Sequence, residues 1–222
     1  MHLRRIGAFA LPGLALLGLP VVEPPGPIDS STPAVPACQQ RAPASSVPGG
    51  EPGTASLPLA DALALRDDGL GSARFCDDPD AVIATMSALL GPPDDDTGWV
   101  DPFTISTCPG EELRRLTWGA LDLFFGDSSP FASGERHFFG YSYGSVDGFD
   151  VAPPGLATAA GIGVGTPVEF VVAAYPDVEL IPGEEGIEEP AFYVGEHLYG
   201  LLTDTAPDGV VTLIVGGEAC GL

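Results

Sequence analysis

The chain has no lysine and no asparagine among its 222 residues, and all eight of its basic residues are arginines. Those absences exclude a lysine base, a Schiff base, a P-loop lysine and an asparagine-linked glycan. Positive charge is scarce as well: eight basic residues stand against 31 acidic ones, for a formal net charge of -23. A chain this acidic repels phosphate backbones and anionic membrane surfaces, so nucleic acid is not an expected partner. Histidine occurs three times, as His2, His137 and His197, and none has a partner at metal-ligand spacing. The four cysteines, Cys38, Cys76, Cys108 and Cys220, include no CxxC pair. No zinc site and no cofactor are therefore expected. A GC-rich coding sequence and a salt-adapted host each account for the arginine-only, acidic composition.

Hydrophobic residues make up 45% of the chain, enough for one large domain or two small ones with a core. Arg4 and Arg5 precede an apolar run from Ile6 to Val22, followed by Glu23, Pro24 and Pro25. A charged start and a short apolar run are the pattern of an export signal, assigned here to residues 1–24. The run is broken by prolines and glycines, so no transmembrane span is expected after its removal. Arg4-Arg5 also resembles a degenerate twin-arginine signal. Residues 25–56 are rich in Pro, Ser, Ala and Gly and bury too little to offset their ordering entropy, which predicts a disordered spacer.

Within that spacer, Val35-Pro36-Ala37-Cys38 resembles a lipid-attachment box, displaced from the apolar run it should follow. A lipidated Cys38 would make the spacer a tether. Cysteines in an exported chain otherwise imply disulfides. Four allow three pairings; Cys108–Cys220 is favoured by their place beside glycine or proline, with Cys76–Cys108 as the competitor.

From residue 57 the chain reads as two similar halves, 57–152 and 153–222. In the first, Asp78 can cap a helix with Pro79 and Asp80 in its first turn and Val82, Ile83, Met86, Leu89 and Leu90 on one face. In the second, Thr166, Pro167 and Glu169 predict a capping-box start, with Val168, Val171, Val172 and Tyr175 as the apolar face. Strands are expected at Leu113–Trp118, Ala120–Phe125 and His137–Tyr143, then at Val178–Ile181, Ala191–Val194, His197–Thr203 and Val210–Val215. The expected fold is α+β: two tandem repeats, each a short helix packed on a small antiparallel sheet, with the halves sharing a core or meeting edge to edge.

A glycine-led turn with a capped helix, "GIGVGTPVEFVVAAYP", before an antiparallel sheet resembles the repeat of beta-lactamase-inhibitory-protein-like and outer-membrane-assembly-lipoprotein (SmpA/OmlA-like) domains. The doubling is closer to the tandem inhibitor, although each half here has one helix and not a helix-loop-helix. The segments "DGLG", "FCDDPDAVIATMSALLGPP", "TCPGEELRRLTWGALDLFFGD" and "GGEACGL" also resemble uncharacterised secreted proteins of GC-rich bacteria. The resemblance implies a non-catalytic envelope or extracellular binding module, and it carries over no contact residue.

Gly140-Tyr141-Ser142-Tyr143-Gly144 matches Gly-x-Ser-x-Gly, with Asp177 and His197 following in hydrolase order. An elbow serine needs a strand before it and a helix after it. The run from Ser145 to Pro154 cannot supply that helix, so no catalytic residue is assigned. His137 and His197 each begin a predicted strand and should lie at an edge or surface. Asp77–Asp80 is explained by helix-start chemistry. The clusters at 94–96 and 184–189 read as solvated loops without calcium-loop spacing. The remaining signal is aromatic. Phe124, Phe139, Tyr141, Tyr143, Tyr193 and Tyr199 fall on predicted strands, and a sheet with one open face would display such residues as binding anchors. Alternation puts Phe139, Tyr141 and Tyr143 on one face of their strand, and Phe138, Gly140 and Ser142 on the other. The competing reading is that these rings fill the core. The expectation is an exported, monomeric, non-catalytic module binding a protein or cell-envelope partner, with a secreted serine hydrolase using Ser142 as the alternative.

Overall fold

The computed structural model describes residues 38, 62–145, 155–184 and 186–219. The expected export signal, and the spacer apart from Cys38, lie outside the described residues. A three-stranded antiparallel sheet comes first, from β1 (Leu65–Arg66), β2 (Gly69–Leu70) and β3 (Ala73–Arg74). Helix α1 (Pro79–Leu90) follows, then β4 (Asp95–Asp96), β5 (Leu113–Trp118), β6 (Leu121–Ser128) and β7 (Ser133–Gly144). The second half adds α2 (Val168–Ala174), β8 (Glu179–Ile181), β9 (Ala191–Val194), β10 (Leu198–Leu202) and β11 (Val211–Gly217).

The predicted two small sheets are not what forms. All strands from β4 onward join one eight-stranded antiparallel sheet in the order β4-β5-β6-β7-β11-β10-β9-β8. Each half contributes a four-strand meander, and the last strands of the two meanders pair, with Val215 opposite Ser142 and Ile214 opposite Tyr143. The protein is mostly β, and α1 and α2 are short accessories. A lone small sheet with one helix leaves apolar strand edges open; pairing β7 with β11 removes two of those edges at once.

One face of the large sheet is the core. Trp118, Leu121, Tyr143, Ile214 and Phe192 lie along one row of it, and Leu116, Leu123, Tyr141 and Leu198 along the next, all buried. The small sheet and α1 lie against it. Phe75 stacks near Phe131 with ring centroids 5.0 Å apart, the Tyr141 hydroxyl donates to the Arg66 carbonyl at 2.9 Å, and Trp118 Nε1 donates to the Gly91 carbonyl at 3.0 Å.

Helix α1 starts as its sequence predicts: the Asp78 side chain accepts from the Ala81 amide at 3.0 Å. Val82 and Met86 are buried, while Leu89 is left exposed. Helix α2 has no capping box. Thr166 Oγ1 instead accepts from the Gly163 amide, and the first amides of the helix, on Val168 and Glu169, donate to the carbonyls of Gly209 and Pro207. A tertiary contact thus does what the side chains were expected to do. Val172, expected on the apolar face, is exposed.

Cys38 is bonded to Cys76, which overturns the Cys76–Cys108 alternative. Cys108 is buried and disulfide-bonded; the Cys220 end of the favoured pairing lies outside the described residues. A lipid thioether would need the same Cys38 sulfur, so the disulfide and lipidation at Cys38 exclude each other. Among the described residues, no helix is long and apolar enough to cross a membrane.

Candidate functional site

Residues paired across an antiparallel sheet share a face. One row on the outer face therefore runs through all eight strands: Glu179, Tyr193, Tyr199, Val215, Ser142, Asp122, Thr117 and Asp95. Its centre is covered, since Ser142 is 2% exposed and Val215 is fully buried. The Glu218 backbone crosses directly over Gly140, where any Cβ would collide with the Glu218 carbonyl. Only the two ends of the row reach solvent.

Most of the aromatic residues singled out by the sequence belong to the core and not to an open face. Phe124, Phe139, Tyr141 and Tyr143 are all buried. The alternation also shifts in mid-strand. A register irregularity between Phe124 and Phe125 pairs Phe125 with Phe138, so Phe138 joins Tyr141 on the core face and Phe139 stacks on Phe124 on the outer face. Of the six candidate residues, Tyr193 and Tyr199 alone remain at the surface. Their rings stack with centroids 5.5 Å apart and planes 17° from parallel, and Tyr193 is 39% exposed. Glu179 stands opposite Tyr193 on β8. Burial, the Glu218 carboxylate and the Tyr193 hydroxyl together push the Tyr199 hydroxyl up to about 12.

Ser142 sits in the middle of β7, paired with Asp122 and Val215, and the strand continues to Gly144. No strand-to-helix turn exists at the serine, and the sheet is antiparallel, so the geometry of an elbow is absent. The two glycines serve the backbone instead. Gly140 makes room for Glu218, and Gly144 has φ +120° with the Thr212 carbonyl against it. The expected absence of a helix at 146–154 falls outside the described residues.

A second serine, not singled out by the sequence, contacts a histidine. Ser129 Oγ lies 2.6 Å from His137 Nε2, and His137 Nδ1 lies 2.7 Å from the Glu135 carbonyl. Ser129 Oγ also accepts from the amides of Phe131 and Ala132. A hydroxyl has one donor and two lone pairs, and here all three are used. These contacts pin the hairpin turn between β6 and β7. His137, expected at an edge, is buried within β7. His197 is half-exposed and rests edge-on against Phe131 at 4.9 Å. With Asp67, Asp68, Phe75 and the Cys38–Cys76 disulfide, these two line a cleft of about 290 Å³.

The acidic clusters do more than solvate loops. Asp96, on edge strand β4, takes a bidentate contact from Arg114 at 2.9 and 2.7 Å, and the guanidinium holds its carboxyl below the usual aspartate range. Asp94 accepts from the Gly119 amide at 2.7 Å. Among the described residues, no three His, Cys, Asp or Glu side chains are grouped to hold a metal ion.

Charge is distributed unevenly, a signal present in the sequence but not used there. Arg136 is the last arginine: of the 31 acidic residues, 18 precede it and 13 follow it. The five described arginines each lie within 4.0 Å of a carboxylate of the first half, as Arg66 and Arg74 with Asp68, Arg114 with Asp96, Arg115 with Asp95 and Arg136 with Glu112. The strands that carry the tyrosine pair receive no arginine from among the described residues. Comparison with protein-family models, with curated proteins and with solved structures gives no match for this chain.

Proposed function

We propose that this chain is an exported, non-catalytic binding protein that contacts a protein or cell-envelope component through the outer sheet face at β8–β10. The observation that carries the reading is the stacked Tyr193–Tyr199 pair, held at the surface of a sheet that buries its other strand aromatics. A rigid, half-exposed tyrosine supplies contact area at little entropic cost, which is why such residues anchor interfaces. Export is supported by the Arg4-Arg5 start with its apolar run, and by a disulfide that an oxidising compartment would maintain. A hydrolase centred on Ser142 lacks both the elbow and access to solvent.

Photo-crosslinking tests the proposal. A benzoylphenylalanine at position 193 of the full chain should form a discrete adduct in the native culture supernatant or envelope fraction. The same group at position 103, where Phe103 is 80% exposed in the first half, should not. Equal adducts from both positions, or fluorophosphonate labelling that is lost in Ser142→Ala, would overturn it.

A further inference from the structure

We infer that the partner presents a lysine- and arginine-rich protein segment to the Tyr193–Tyr199 face, an inference that rests on the binding reading above. The face combines two features that select cations by different physics. Aromatic faces attract guanidinium and ammonium groups through the ring quadrupole. Glu179 opposite Tyr193 adds a carboxylate at the same rim, where a guanidinium can be held by paired hydrogen bonds while it stacks, and the Glu218 charge also reaches Tyr199.

Among the described residues, no arginine meets the surrounding charge. The sequence after Arg136 holds 13 acidic residues and no lysine or arginine, and each described arginine is already paired in the first half. His197, half-exposed and 4.0 Å from Glu196, is the one cationisable side chain at the surface among the described residues of this half. Opposing potentials steer encounter and set which partners are rejected, so an acidic partner is disfavoured and a basic one favoured.

The shape chooses between a small cation and a chain. The tyrosine pair lies on a strand face at the end of a sheet, and an isolated small cation gains little from an unenclosed surface. An extended segment can spread several cations along it and can lie beside β8, the last strand of the sheet, with alternate side chains over the tyrosines.

Titration of the isotope-labelled full chain with hexa-arginine, against hexa-glutamate as control, tests this by NMR. Amide shifts should concentrate on β8–β10 with the first peptide and be absent with the second. Tyr193→Ser with Tyr199→Ser, and separately Glu179→Gln with Glu218→Gln, should each weaken binding by about tenfold or more. The unfolding midpoints of both variants show whether they remain folded. Shifts spread over all acidic loops and indifferent to the tyrosines, or no binding at millimolar peptide, would overturn the inference. An adduct from position 193 to a neutral or acidic segment would overturn it while leaving the binding reading intact. Absence of both the adduct and the shifts would remove the two together.

Discussion

Tyr141 lies on the core face of the sheet and is fully buried, whereas Tyr193 lies on the outer face and is open. Their substitutions should therefore separate stability from binding. Tyr141→Phe removes the hydrogen bond from the buried phenol to the Arg66 carbonyl and should cost about 1 kcal/mol in urea unfolding. Tyr193→Ala should stay within about 0.5 kcal/mol of the wild type while abolishing partner binding. The Gly-x-Ser-x-Gly motif divides in the same way. Gly140→Ala drives a Cβ into the Glu218 backbone and should cost about 1–3 kcal/mol, more than Ser142→Ala. Tyr199 makes a pH prediction. Its folded value lies above the ordinary tyrosine value, so its contribution is complete below about pH 10 and is lost as pH rises towards 12. In unfolding measured across that range, Tyr199→Phe should remove part of the alkaline loss. A period of two was legible at these positions and put Tyr141 and Tyr143 on one face, but it wrongly placed Phe139 with them. Which face is covered depends on the Glu218 crossing and on the extra residue in β7, and neither leaves a mark in the local pattern.

The elements that the sequence predicts best are those whose determinants are local. Asp78, Pro79 and the Val82–Met86 spacing specify α1 within one stretch, and the strands from β5 onward form where their alternation predicts them, apart from register shifts in the β6–β7 and β10–β11 pairs. Helix α2 escapes the same logic because its first amides are met by carbonyls about 40 residues downstream, at Pro207 and Gly209. The β4–β5 edge carries a testable electrostatic element. Arg114 depresses the Asp96 carboxyl, so the stability it adds is present above the ordinary aspartate value and is lost as pH falls below about 4. Asp96→Asn should flatten part of the acid limb of the unfolding midpoint. The Cys38–Cys76 bond, with a sequence separation of 38, ties the chain ahead of the small sheet to the core. Restricting a loop of that length in the unfolded chain stabilises by about 3–4 kcal/mol, so the Cys38→Ser, Cys76→Ser pair should lose roughly that amount. Cysteine spacing alone left three pairings open, because only the folded positions of the sulfurs choose among them.

At the scale of the whole molecule, two meanders fuse through β7 and β11 into one sheet, and the described arginines lie on the small sheet and the first meander. The result is a protein that is acidic in both halves, with every described arginine in the first and an arginine-free second half that exposes the tyrosine pair. Both facts have sequence roots, but unequal ones. The last arginine at 136 is visible at a glance, whereas the pairing of β7 with β11 is a long-range choice between strand edges that no local pattern encodes. The most direct test of the account is quantitative capture of native binding partners by three forms of the full chain: wild type, Tyr193→Ala with Tyr199→Ala, and Ser142→Ala. Capture should be lost in the tyrosine variant and kept in the serine variant. Undiminished capture by the tyrosine variant would contradict the account.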